Sequence, residues 1–191
     1  MSLKTKTLLA LDVDGVLNVL KYPQRGCVSR QVGPWVVSWR SSTLKELKNF
    51  LSRDDVTGVW LSRWIAFPDH LKELSSLWGL DELISLRAEH PATAPAEFGL
   101  KPVRDKRFPK VSTFEARSGY WWKFRSAELL QRQFSDYRFA WFDDELGYSN
   151  HAKKWAPIVS DQKFIKRVNP YVGLIPRDIR AVEAWHEGGA K

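Results

Sequence analysis

Asp12 and Asp14 stand two apart behind the apolar run Leu8-Leu9-Ala10-Leu11, and Gly15 follows at once. On an extended strand two carboxylates at this spacing point the same way, and the glycine lets the backbone turn sharply behind them. Placed together at the end of a buried strand they repel, and a hard divalent cation with oxygen ligands is the usual way to offset that cost. The plain alternative is a solvated Asp-Gly turn after an ordinary strand. A second acidic group, Asp143-Asp144-Glu145, closes the aromatic-rich run Tyr137-Arg138-Phe139-Ala140-Trp141-Phe142. It too has a plain alternative, a strand-end turn or a helix N-terminal cap. If the two runs are neighbouring parallel strands, Asp12, Asp14, Asp143 and Asp144 converge at one sheet edge, where open α/β folds bind ligands.

Two further positions fit such a site. Val59-Trp60-Leu61-Ser62 is a short apolar strand ending in a hydroxyl, and Lys123 opens a helix twenty residues before Asp143. Each has an ordinary reading, a strand-end serine and a lysine snorkelling beside Trp122. Taken in order, Asp-x-Asp-Gly-Val-Leu-Asn at 12–18, Ser62, Lys123 and Trp-Phe-Asp-Asp-Glu at 141–145 resemble the four motifs of the haloacid dehalogenase superfamily. Asn169-Pro170-Tyr171-Val172-Gly173-Leu174, ahead of a helix containing Trp185, extends the likeness over nearly the whole chain. The layout is similar to the haloacid dehalogenase domain of Swiss-army-knife RNA repair proteins, found in actinobacteria and their phages.

The resemblance implies a phosphatase. Asp12 would be the nucleophile that forms an aspartyl-phosphate, and Asp14 the acid that protonates the leaving oxygen and then activates water. Magnesium would be held by the Asp12 side chain, the Asp14 backbone carbonyl and Asp143, with Asp144 acting through water or from behind the ligands. Ser62 would donate to a phosphate oxygen, and Lys123 would pair with the phosphate and with Asp12. Lys101, Lys106 and Lys110 compete for the lysine's role. Arg63, directly after Ser62, adds a candidate substrate contact that is no part of the family pattern. The four histidines, His70, His90, His151 and His186, lack metal-ligand spacing and take no chemical role.

Charge points to the substrate. The chain carries a net +8, with an isoelectric point near 9.6. Residues 1–100 are almost balanced, with 12 basic against 11 acidic, whereas 101–135 hold 9 basic and 3 acidic residues. A basic segment beside an acidic metal centre suggests a polyanion, and Arg104, Lys106 and Arg107 are its candidate contacts. A solubilising surface would look the same. Of the ten tryptophans, Trp60, Trp78 and Trp141 lie in apolar runs and read as core. Trp35, Trp39, Trp121 and Trp122 lie near loops and could form a stacking surface. The lone Cys27 excludes an intrachain disulfide framework and fits a reducing compartment. The apolar stretch Leu8–Leu11 is too short for a signal-peptide core or a membrane span.

The elements that must position these residues read as strands separated by helices. Strands are expected at 7–13, 57–61, 83–86, 139–142 and 164–168, and helices at 67–80, 120–134, 149–155 and 176–186. Thr43 and Glu46 read as a capping box for a further helix with Leu44, Leu47, Phe50 and Leu51 on its apolar face. Residues 19–40 read as a hairpin or flap over the site. On helix 67–80, Leu71, Leu74, Leu77 and Trp78 should face inward. Four prolines and little periodicity make 88–118 a long basic, irregular insertion. The sum is one α/β domain over 1–191. Its expected form is a three-layer, Rossmann-like parallel sheet of haloacid dehalogenase type, with a small flap and no separate cap domain. The expected function is a magnesium-dependent phosphatase, monomeric and cytoplasmic, without membrane contact, acting on phosphorylated nucleic-acid ends. The alternatives are a small-molecule phosphatase such as a nucleotidase, or a catalytically idle nucleic-acid-binding or regulatory protein of the same fold.

Overall fold

The computed structural model of the chain describes residues 6–20, 25–85, 100–104, 112–116, 122–146 and 157–188. Its centre is β1 (Lys6–Leu11), whose run of apolar side chains leaves no polar face. Parallel neighbours flank it, β4 (Val56–Trp60) on one side and β8 (Tyr137–Asp143) on the other. Beyond them lie β5 (Ile84–Ser85) and β10 (Lys163–Arg167), both parallel, and then β9 (Ile158–Val159). The six-stranded order is β5-β4-β1-β8-β10-β9. The expected all-parallel sheet is therefore mixed, because β9 pairs antiparallel with β10. The cause is local: Ser160 and Lys163 exchange backbone hydrogen bonds in a tight turn, and so short a connection can return only antiparallel.

Helices cover both faces, as a buried parallel sheet requires. Leu9 and Leu11 of β1 join a core with α1 (Ser41–Leu51), α2 (Pro68–Trp78) and α4 (Pro176–His186). Leu8 and Ala10 join a second core with Phe124, Ala127 and Leu130 of α3 (Trp122–Gln133). The alternation of β1 between two cores gives the three layers. Trp60, Trp78 and Trp141 are buried, as their apolar contexts predict.

Two helix readings need correction. Leu77 is 41% exposed; Leu71, Leu74, Ser75 and Trp78 complete the buried stripe at three- and four-residue spacing, and Leu77 falls outside it. Thr43 caps nothing, since α1 already begins at Ser41, and its hydroxyl donates to the Leu174 carbonyl at 2.9 Å. The stretch 88–118 is not wholly irregular. It contains β6 (Leu100–Arg104) paired antiparallel with β7 (Ser112–Ala116). Pro102 disguises the first of these, and a two-stranded ribbon tolerates it because every strand there is an edge. The expected helix at 149–155 lies outside the described residues.

The expected flap is the hairpin β2 (Val28–Val32) and β3 (Trp35–Trp39). It is docked rather than loose. Val32 and Val37 are fully buried, and Val19 N donates to the Ser38 carbonyl at 2.7 Å. No helix among the described residues is long and apolar enough to cross a membrane.

Candidate active site

Register decides which residues meet. Leu11 lies opposite both Trp60 and Phe142, so β4, β1 and β8 end level. Asp12, Asp143 and the Leu61-Ser62 pair thus emerge at one carboxyl edge. Lys123 reaches that edge from the first turn of α3, where Phe124 and Ala127 anchor the helix in the second core.

Lys123 is the hub. Its ammonium is buried and bonds the Asp12 carboxylate directly. It lies 2.8 Å from Asp143 Oδ2 and 3.5 Å from Glu145 Oε2. Burial works against its charge, but Asp12, Asp143 and Glu145 together outweigh that and raise its pKa, so the group is cationic. One ammonium does not neutralise its surroundings. Burial raises the Asp143 pKa, against the pull of Lys123. Asp144 is pushed up to about 6, first by burial and then by the charge of Asp12.

Asp12, Asp143 and Glu145 each place a carboxylate oxygen within 4.8 Å of the others. An all-oxygen set around a charge deficit of this kind suits a hard divalent cation. Glu145 is the member that sequence reasoning missed, although the run Asp143-Asp144-Glu145 carried it. Its inclusion follows from a tight turn in which Glu145 N donates to Asp143 Oδ1 at 2.9 Å. The Asp144 carboxyl lies outside this trio and packs against Gly15, whose φ of +74° and missing Cβ leave it the space.

Asp14 is also outside the trio. β1 stops at Leu11 and the chain turns at once, with Leu17 N and Asn18 N donating to the Val13 carbonyl at 3.0 and 2.8 Å. Strand alternation therefore does not govern Asp12 and Asp14. Asp14 Oδ1 accepts from Asn18 Nδ2 at 2.7 Å and Oδ2 from Trp64 Nε1 at 2.9 Å. Its pKa is raised by burial, against the pull of those two donors, with a smaller push from Asp12. Neither Asn18 nor Trp64 stood out in the sequence as a site residue; no motif spacing links Trp64 to Asp14, fifty positions away.

Ser62 is fully buried. Its hydroxyl oxygen accepts from Val13 N and Trp64 N, both at 3.4 Å, and so caps the 3-10 turn Arg63–Ala66. Having accepted, the hydroxyl still has a proton to donate. Arg63 lies at the rim, 3.7 Å from Glu145 Oε1.

Lys106 and Arg107 lie outside the described residues, as do Lys110 and Trp121. Arg104 falls on β6, but its side chain lies outside them, like those of Lys101 and Trp122. Of the expected stacking surface, the two described members are corrected: Trp39 is only 6% exposed, and Trp35 packs 5.1 Å from both Trp64 and Phe67. Their apolar packing on α2 and the 3-10 turn outcompetes exposure to solvent. Compared with family models, curated proteins and solved structures, the chain has no match.

Proposed function

We propose that the protein is a magnesium-dependent phosphatase that works through an aspartyl-phosphate on Asp12 and acts on phosphorylated nucleic-acid ends. The observation that carries the reading is the buried ion cluster in which Lys123 joins Asp12 to Asp143 at the carboxyl ends of adjacent parallel strands. Such a cluster is costly to bury and is the equipment that in-line phosphoryl transfer needs. The Asp12 and Asp143 carboxylates, with Glu145, would hold magnesium, which when bound neutralises phosphate oxygens as a Lewis acid.

The chain's own groups supply the remaining chemistry. The Asp12 carboxylate attacks phosphorus as the bond to the leaving oxygen breaks, and Asp14 gives that oxygen its proton. Asp14, now ionised, removes a proton from water, which attacks the same phosphorus and releases inorganic phosphate from Asp12. Lys123 orients Asp12 and offsets charge on the phosphoryl group, and Ser62 donates to one of its oxygens. Burial favours the protonated form of Asp14 that the first step consumes.

The nucleic-acid part of the proposal rests on the basic segment 101–135 and on the family resemblance. In it the protein acts as a cytoplasmic monomer. The test offers end-labelled oligonucleotides with 5′- or 3′-phosphates beside mononucleotides, with and without magnesium. Oligonucleotide hydrolysis that EDTA abolishes is expected. Affinity should fall with a log–log salt slope of about −0.7 per contacted phosphate. Reversing charge at Arg104, Lys106 and Arg107 together should raise KM for oligonucleotides and spare a generic aryl phosphate. A preference for mononucleotides with little salt dependence would assign a nucleotidase instead, and full activity after chelation would overturn the metal.

A further inference from the structure

We infer that Trp64 is a positioning residue for Asp14: its indole N–H fixes the carboxylate that hands a proton to the leaving oxygen. The inference rests on the phosphatase reading. Each oxygen of Asp14 takes one donor, Asn18 Nδ2 at 2.7 Å on Oδ1 and Trp64 Nε1 at 2.9 Å on Oδ2. They approach from different elements, Asn18 from the loop after β1 and Trp64 from the turn after β4. Two tethers on two oxygens set the plane of the carboxylate, not merely its position.

Both contacts are donors without ambiguity. An indole has no acceptor. The Asn18 amide is oriented by Ser38 N, which donates to its Oδ1 at 2.8 Å and so turns Nδ2 toward Asp14. Neither neighbour can therefore take the Asp14 proton. The proton therefore sits where the two tethers do not reach, and leaves from there.

Trp64 is itself held in place. It is 5% exposed, and its backbone N–H reaches Ser62 Oγ at 3.4 Å. Its ring meets Trp35 of β3 at 5.1 Å with a 57° tilt. A rigid donor of this kind maintains a productive geometry without reorganising during the reaction.

The test is Trp64→Phe, which keeps an aromatic ring against Trp35 and deletes the N–H. The readout is single-turnover release of the leaving group in magnesium. Release of an alcohol from an alkyl phosphate should slow by roughly tenfold to a hundredfold, while release of dinitrophenol from its phosphate, which needs no proton, should change by less than about threefold. KM should stay within about twofold. In an Asp14→Asn background the same substitution should add less than about twofold. Equal losses on both substrates, no loss on either, or a full multiplicative loss on top of Asp14→Asn would each overturn the role. Should Trp64→Phe fail to fold, the indole N–H resonance of Trp64 decides: it should be shifted downfield and protected in the wild type and lose both properties in Asp14→Ala. An unchanged resonance would overturn the role. A wild type that releases neither leaving group would instead remove the phosphatase reading itself, and the role of Trp64 with it.

Discussion

At the scale of single residues, the site is a shortage of positive charge. Lys123 is shared among Asp12, Asp143 and Glu145, and Asp14 adds a further carboxylate within Coulombic reach. On the proposed mechanism, Asp12→Asn removes the attacking anion and one metal ligand with almost no change in volume. Turnover should fall by several orders of magnitude, as it does when other catalytic nucleophiles are removed. Stability should change little, since the lost pairing with Lys123 is offset by relief of repulsion from Asp143 and Asp14. A melting temperature within about 4 °C of wild type, corresponding to about 1 kcal/mol for a chain of this size, is expected. Turnover close to wild type in this variant would contradict the assignment of Asp12.

At the scale of elements, the loop from Asp12 to Val19 carries the organisation. It leaves β1 through the turn at Val13 and contributes Asn18 to both Asp14 and β3. It also docks the second hairpin strand, since Val19 N donates to the Ser38 carbonyl. Gly15 is the position that permits this. Its φ of +74° disfavours any side chain, and a Cβ there would overlap the Asp144 carboxyl. Gly15→Ala should therefore destabilise the fold by about 2 kcal/mol or more, a fall in melting temperature of about 4–8 °C. Activity should fall further than stability alone explains, because Asp144 and the Asp14 turn move together. Differential scanning fluorimetry and turnover on the same preparation measure both. An alanine variant as stable and as active as wild type would show that the turn is not constrained.

At the scale of the molecule, the carboxyl edge makes stability depend on pH and on cations. Asp144 has a folded pKa of about 6, raised from the ordinary 3.8. A raised carboxyl contributes stability that is fully present below the unfolded value and is lost as pH rises through the folded one. In EDTA, Asp144→Asn should therefore be more stable than wild type at pH 8, by about 1 kcal/mol after allowance for solvent screening. The difference should vanish near pH 4. Asp143 and Asp14 are raised as well, so the same sign applies to them. A divalent cation should reverse it, because its ligands must be ionised. The rise in melting temperature on adding magnesium should be small at pH 5 and grow toward pH 8. Urea titrations of both proteins across this range check the first statement and thermal melts the second; a magnesium effect independent of pH would argue against carboxylate ligands.

The sequence by itself determined the parts whose information is local. Leu8–Leu11 without alternation makes a strand buried on both faces, and the acidic residues at the ends of two such runs were legible as a candidate site. Helix α4 follows from Pro176 in its first turn and the spacing of Ile179, Val182 and Trp185. Lys123 was legible only through its order relative to the acidic groups. Tertiary structure decided what depends on register and on partners distant in the chain. The level ends of β4, β1 and β8 put Lys123 between Asp12 and Asp143. The turn after β8 placed Glu145, rather than Asp144, beside them. The packing of Trp35 on Trp64 turned one expected stacking residue into the support of a hydrogen bond to Asp14. Periodicity reports which face of an element is buried. It carries no record of which side chains from other elements meet there, because those contacts are set by sheet order and by competition for the same buried space.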